Sequence, residues 1–544
     1  MPDEFDYVVI GAGAAGSVLA ARLSEDPGTT VCVLEAGPPD RNIFIHIPVG
    51  YIKTITDPRV NWLYETEASQ GTAGRRLPAP QGRTLGGTTS INGHIYNRGQ
   101  AMDFDRWAQM GNRGWSYAEV LPYFRRCEGR IGAGDDRYRG RDGPLKVTDL
   151  DWNHPLNDAF VAAAVARGIP LNPDYNGATQ AGVGYYQRAI HKGRRVSAAR
   201  AFLHPAMTRP NLEVRTDAQA TAVLLDGRRA ISVSYARGGA GGTPAEVHAR
   251  REVIVAAGAI ASPRLLQLSG IGPGTLLREL GIEVKHELAG VGENLRDHYA
   301  PRLVARVRGV ETINQRVRGA ALAVEVTKWL LGRPSVIGLQ PSLVHVFWMS
   351  EPALELPDIQ LLFAPASLKE GRTGVLDDFP GMTCGVWQHR PESTGYVRAR
   401  SADVFEKPAI QPNYLAEEID RRVLLAGMRL TLELFKAPAF APYFERMHLP
   451  APGAESDAEL LAYAREYGGA GYHFCGTCRM GPEGDPLAVV DAALRVRGLD
   501  GLRVADASVM PTMPSANTNA STLMIGEKAS DMIRGRAPLA PAEL

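Results

Sequence analysis

The sequence predicts an α/β chain that opens on a parallel sheet, and three observations predict it. Tyr7-Val8-Val9-Ile10 is an unbroken apolar run, the pattern of a parallel strand buried on both faces. Gly11, Gly13 and Gly16 follow at once, before a stretch of small, helix-favouring residues over 17–23. A second apolar run over 30–34 ends at Glu35. Strand, glycines, helix, strand and acid arrive in the order of a Rossmann-like βαβ unit that binds a dinucleotide.

Each glycine has a task in that unit. Gly11 permits the tight turn, Gly13 lets a pyrophosphate approach the backbone, and Gly16 lets helix and strand pack closely. The helix start beyond them, at Ala14 and Ala15, offers free N–H groups and the positive end of a dipole to the phosphates. Glu35, followed by Ala36, is placed to accept hydrogen bonds from ribose hydroxyls. An acid there suits an unphosphorylated ribose and repels a 2′-phosphate. The fingerprint alone does not separate FAD from NAD.

Composition bounds the rest. At 544 residues the chain is long enough for about two to four domains. Hydrophobic residues make up 44% and charged residues 22%, ordinary usage for a folded chain with a large core. Sixty basic residues against 59 acidic ones argue against a nucleic-acid partner, which needs a concentrated basic excess. Five cysteines form no disulfide framework. The acidic start lacks a secretory pattern, and no apolar run of about 18 residues predicts a membrane span. A cytoplasmic location is the expectation.

Further segments carry chemistry of their own. Gly86-Gly87-Thr88-Thr89-Ser90 is a backbone free of bulk and rich in donors, suited to lie against a flavin and its phosphates, with Asn92 able to donate and accept nearby. Residues 253–257 form another buried-strand run, which ends at Gly258, and residues 502–507 read as a late strand.

Four of these stretches resemble the signatures of the glucose–methanol–choline (GMC) oxidoreductase family. They are residues 82–92, residues 258–272, Tyr472-His473-Phe474-Cys475-Gly476-Thr477-Cys478-Arg479-Met480, and Asn517-Thr518-Asn519-Ala520-Ser521-Thr522. Gly114-Trp115, Asn294-Leu295-Arg296-Asp297-His298 and Pro412-Asn413-Tyr414-Leu415 fit the same order, so the resemblance spans nearly the whole chain.

The resemblance implies FAD, and a hydride passed from an alcohol carbon to flavin N5. It implies a discontinuous FAD-binding domain over 1–157, 211–299 and 466–540. A substrate domain built on an antiparallel sheet is inserted over 158–210 and 300–465; alternating residues over 394–400 agree with strands there. It adds Arg83, Gly93, Ile95, Ala220, Ala257, Asp506, Ala507, Ala520 and Ser521 to the flavin contacts, with Asp506 and Ala507 beside the ribityl–phosphate arm. His473 is implied as the general base, a role suited to imidazole. Asn519 is implied as the partner of the substrate oxygen and a further cofactor contact. Asn517 lies two residues earlier; the resemblance favours Asn519, immediately before Ala-Ser-Thr.

Departures from the family pattern carry expectations too. Some members attach FAD through a histidine just before the signature asparagine; Ile91 stands there, so FAD is expected to be non-covalent. Phe474 stands where a proline is common, adding an aromatic near the site. Cys475 and Cys478 form a C-x-x-C, but inside the histidine segment rather than after a thioredoxin-type strand. No second ligand pair accompanies them, so no metal is expected. Residues 339–348, which resemble the family's cation-recognition stretch, contain no acid, and residues 361–363 are apolar where choline enzymes carry a histidine. A primary alcohol with an aliphatic or aryl body is therefore expected, in a pocket drawn from Phe347, Trp348, Phe363, Tyr472 and Phe474. Oxygen or a quinone would reoxidise the flavin. The same architecture also serves hydroxynitrile lyases and a fatty-acid photodecarboxylase, which remain alternatives.

Overall fold

A computed structural model describes residues 3–369 and 374–544. Strand β1 (Glu4–Ile10), helix α1 (Ala14–Leu23) and strand β2 (Val31–Leu34) form the opening unit, with β1 and β2 parallel. Five residues at the end of β1 and all four of β2 are buried, as unbroken apolar runs require. Gly11 takes φ +99°, and a Cβ on Gly16 would sit 1.8 Å from the Gly11 carbonyl oxygen, so only glycine lets α1 approach β1 this closely.

The chain then leaves this layer. Helix α2 (Pro155–Ala166) packs on a second sheet, to which strand β3 (Gly182–Tyr185) belongs. It returns as β4 (Leu212–Arg215), β5 (Ala218–Asp226), β6 (Arg229–Arg237) and β7 (Thr243–Val255), which leads into helix α3 (Gly258–Leu268). It departs again through β8 (Arg302–Val307), helix α4 (Gly319–Leu330), β9 (Val344–Trp348), β10 (Ile359–Ala364), β11 (Gly381–Gln388), helix α5 (Glu418–Phe435) and β12 (Phe444–Leu449). Strand β13 (Leu502–Val504) and helix α6 (Asn519–Ile533) close the first layer.

The first sheet runs β4-β2-β1-β7-β6-β5. Strand β7 is long enough to change partners along one edge: residues 243–248 pair antiparallel with β6, and residues 253–255 pair parallel with β13. The second sheet runs β12-β8-β11-β10-β9-β3 and is antiparallel throughout. The fold is thus a mixed α/β one, with a largely parallel layer and an antiparallel layer. Residues 395–398 form a strand, but in a small separate sheet with 293–295 and 409–411.

Side-chain alternation divides the second sheet. Cross-strand register places His345, Phe347, Gln360, Leu362, Gly385 and Trp387 on one face and Val346, Trp348, Leu361, Phe363, Cys384 and Val386 on the other. The second face meets α2 and α5: Phe363 stacks on Phe160 at 4.3 Å, and Gly427 abuts Val386 and Ile359.

Candidate active site

One cavity of about 1100 Å³ runs between the two layers, lined at one end by the glycine loop and at the other by His473. Three helix starts face it, those of α1, α3 and α6, and their N-cap residues Gly13, Ala257 and Thr518 make no side-chain cap. The first turns of α1 and α6 leave amide donors and positive dipole ends for a phosphate or an electron-rich ring, whereas at α3 the Gly258 amide donates to Asp506 Oδ2 at 2.8 Å. Glu35 lines the same end; its carboxylate accepts the Ala12 and Gly37 amides at 2.9 Å, and burial pushes it up to about 7.

Most of the residues expected to contact a flavin line this cavity: Gly11, Gly13, Ala14, Ala15, Glu35, Ala36, Gly87, Thr88, Asn92, Gly93, Ile95, Ala220, Ala257, Gly258, Asp506, Ala507 and Asn519. Gly16, Arg83, Gly86, Ala520 and Ser521 do not. Gly16 and Ala520 are packing positions, the first against Gly11 and the second 3% exposed in the core. Gly86 donates its amide to the Ala12 carbonyl at 2.8 Å, stitching the two glycine loops together. Arg83 lies over the Trp62 ring, and the Ser521 hydroxyl turns to the Arg98 carbonyl.

The loop over 89–92 has a support that its own residues do not reveal. Arg195, fully buried, donates to the Thr89 and Asn92 carbonyls at 3.0 and 2.8 Å and to the Ile45 carbonyl at 2.7 Å. It comes from a distant hairpin, so local sequence offers no sign of it.

At the other end, His473 is held on every side. Its amide donates to Asp297 Oδ1 at 2.6 Å, and Tyr414 donates to the other oxygen at 2.5 Å. Its ring meets Trp387 edge-on at 5.3 Å, and Trp387 stacks on His298. His473 Nδ1 lies 2.9 Å from His298 Nδ1, and Asn517 Nδ2 lies 2.8 Å from His473 Nε2.

These contacts define the protons. The His389 carbonyl, 2.8 Å from His298 Nε2, can only accept, so that nitrogen carries the hydrogen. Burial pushes His298 down to about 4, which keeps it neutral and leaves its Nδ1 as an acceptor. His473 therefore donates from Nδ1, and its Nε2 is bare toward Asn517 and the cavity. Burial, and then the neighbouring His298, hold the His473 pKa well below the usual histidine range.

Asn517, not Asn519, is thus the asparagine bonded to the histidine. Asn519 is the first residue of α6 and faces the cavity from the helix start. Sequence reading also gave no role to His298, Trp387 or Asp297; the Asp297-His298 pair is visible in the sequence, but nothing local ties it to residue 473.

Of the aromatic residues expected in a substrate pocket, Tyr472 and Phe474 line the cavity. Trp348 and Phe363 point the other way, onto α2 and α5, because strand alternation puts them there. Phe347 is on the cavity-facing side but beneath its wall, packed against Tyr175 and His345. Leu362 and Trp387 take that wall instead. Cys475 and Cys478 are both buried, and burial pushes the Cys475 thiol up to about 12.

The cavity fits FAD on its own terms. A glycine loop, an acid and three helix starts line it, and only the α3 start has a carboxylate on its first amide. Four buried polar atoms of lining residues, Tyr64 Oη, His94 Nδ1, Gln340 Oε1 and Asn517 Oδ1, lack a hydrogen-bond partner, as in a site that a polar ligand completes.

Comparison with known proteins agrees. Two family models, each described as GMC oxidoreductase, match residues 5–300 and 391–526. Human mitochondrial choline dehydrogenase is 41% identical over 99% of this chain and 91% of its own length. The oxygen-dependent choline dehydrogenase of Brucella anthropi is 40% identical over 99% and 97%. Among solved structures, pyridoxine 4-oxidase from Mesorbium loti superposes with TM-score 0.86 at 31% identity, covering 98% of this chain and all of that one. A variant of Aspergillus oryzae formate oxidase, whose title concerns FAD modification, does so with TM-score 0.91 at 26% identity, over 98% of both chains. The chain belongs to the GMC oxidoreductase family, as an FAD-dependent alcohol oxidoreductase.

Proposed function

We propose that the chain oxidises a primary alcohol with an apolar, aliphatic or aryl body to the aldehyde, with His473 as base. The observation that carries this is the bare Nε2 of His473, turned to the cavity and flanked by the Asn517 amide. FAD, held by the glycine loops and helix starts, supplies the hydride acceptor. The alcohol proton passes to His473 Nε2 as the carbon gives up its hydride and the C–O bond becomes a carbonyl. Asn517 takes the role expected of Asn519: on binding, the substrate hydroxyl displaces the Asn517 amide from His473 Nε2 and donates its hydrogen there, and the freed Asn517 Nδ2–H holds the substrate oxygen beside the imidazole. The division of the chain at about residues 158, 211, 300 and 466 belongs to this reading, with the base from one domain and the cavity wall from the other.

The apolar substrate rests on what faces the cavity. The carboxylates lining it, among the described residues, are Glu35 and Asp506, both at the glycine-loop end and both engaged. Toward the mouth the charged residues are Lys53, Arg302 and Arg318, among Ile313, Val317, Leu339 and Leu362. Such walls offer a quaternary ammonium the rings of Trp387 and Tyr472 but no free carboxylate, and the charges they carry toward the mouth repel it. Choline remains the second reading, favoured by the names of the relatives. Anaerobic bleaching of the bound flavin separates them: octanol or benzyl alcohol is expected to reduce it at least about a hundredfold more efficiently than choline. Faster reduction by choline overturns the apolar assignment. An absence of bleaching by any alcohol, with cyanohydrin cleavage or light-driven CO₂ release, overturns alcohol oxidation itself.

A further inference from the structure

Helix α4 has its polarity reversed for a surface helix. In Gly319–Leu330 the single acid, Glu325, is the buried residue, 4% exposed, while Val324 is 54% exposed and Leu330 and the following Leu331 are 71% and 67% exposed. Glu325 faces inward for a reason: it pairs with Lys328 at 2.7 Å and accepts the Val336 amide at 3.0 Å, pinning the chain that follows the helix. The polar attachment is below and the apolar face is outside, the opposite of a helix that packs on a core.

Two further features surround that face. Leu322, Val326 and Trp329 of α4 line the same cavity that His473 faces, and so does Phe44. Phe44 and Ile43 are themselves exposed, so apolar surface continues to the cavity mouth. The rim is cationic. Arg333 follows the helix, and Lys192 and Arg194 flank Gly193, whose carbonyl accepts the Trp329 indole hydrogen at 2.7 Å.

We propose that α4 docks the protein on an anionic membrane surface, lying in the interface with its apolar face in the lipid and the cavity mouth opening toward the bilayer. Exposed leucine and valine beside a half-buried tryptophan, rimmed by lysine and arginine, are the composition of an interfacial helix. No helix among the described residues is long and apolar enough to cross a membrane, so this is attachment to a surface. A second copy fits the patch less well. A two-fold contact sets one patch against itself, bringing the cations of both rims together and covering the mouth.

The test is flotation of the full, FAD-loaded chain with vesicles. It is expected to float with phosphatidylcholine–phosphatidylglycerol vesicles at low salt, and at least about tenfold less with phosphatidylcholine alone. The double variant Leu330→Asp/Leu331→Asp, whose side chains lie outside the cavity lining, is expected to lose at least about tenfold in vesicle binding while keeping its flavin spectrum and its bleaching by alcohol in solution. The proposal is overturned if the wild type stays in the aqueous phase, if the double variant floats equally well, or if light scattering shows a dimer that the double variant turns into a monomer. None of these readouts depends on turnover, so docking can fail while alcohol oxidation stands.

Discussion

At residue 473 three weak effects add up to one defined tautomer. A backbone carbonyl sets the tautomer of His298, His298 sets that of His473, and burial keeps both uncharged. Replacing His473 with alanine is expected to leave FAD bound and to slow flavin reduction by about 10²–10⁴, or about 3–5 kcal/mol, measured by stopped-flow absorbance. Asn517→Ala is expected to slow the same step more than Asn519→Ala, because Asn517 touches the imidazole; the reverse ranking would return the role to Asn519. The depressed pKa of His473 also has a kinetic sign. A base that stays unprotonated well below its ordinary value of 6.5 puts the acid limb of kcat/KM below pH 6.5. In His298→Phe, which removes the acceptor for Nδ1–H, reduction is expected to slow and the acid limb to move. A limb unmoved in that variant would leave His298 a mere packing residue.

Among the elements, the opening βαβ unit carries the most information per residue. Its apolar runs, glycines and acid are adjacent in sequence because they act within one turn of each other, so strand, helix and ligand end were all legible there. Gly16→Ala is expected to abolish or severely weaken FAD binding, since its Cβ would lie 1.8 Å from the Gly11 carbonyl oxygen and α1 would have to move off the strand. Fluorescence titration of the apoprotein with FAD measures this; retention of wild-type affinity would contradict it. The strands of the second sheet are harder to read. Residues 344–348 and 359–364 are buried on both faces, so every position is apolar or tightly packed and the sequence does not say which side meets the cavity. That is why Trp348 and Phe363 read as pocket residues while Leu362 and Trp387 form the wall.

For the whole molecule, buried titratable groups tie stability to pH. Burial lowers the pKa of His94, His298, His345, His389 and His473 in the folded state. Below pH 6.5 the unfolded chain takes up protons that these rings refuse, so stability is lost as pH falls below that value. Glu35 and Asp297, both pushed up to about 7, act in the opposite sense: their contribution is present at low pH and lost as pH rises through 7. Burial raises Asp103 as well, so five fully buried rings against three such acids give a net loss on acidification, expected as a lower melting temperature at pH 5 than at pH 7. A melting temperature that rises on acidification would show that the acids dominate. The flavin itself is expected to be released by acid precipitation, because Ile91 offers no nucleophile. Flavin retained in the pellet would point to His94, the histidine of that loop.

Sequence alone determined what is built from near neighbours: the glycine turn, the acid after the second strand, the Thr-rich loop, the histidine segment and the family to which they belong. Tertiary structure decided what lies between distant pieces. It set the Asn517 amide against the imidazole and put Asn519 at the start of α6, a difference between two asparagines two residues apart that the sequence does not show. It brought His298 and Trp387 against His473, and Arg195 beneath the flavin loop, from segments with no local mark of their task. The physical reason is range: backbone turns and strand burial are set within a few residues, whereas a proton's place on a ring is set by whichever group the fold carries to within about 3 Å of it.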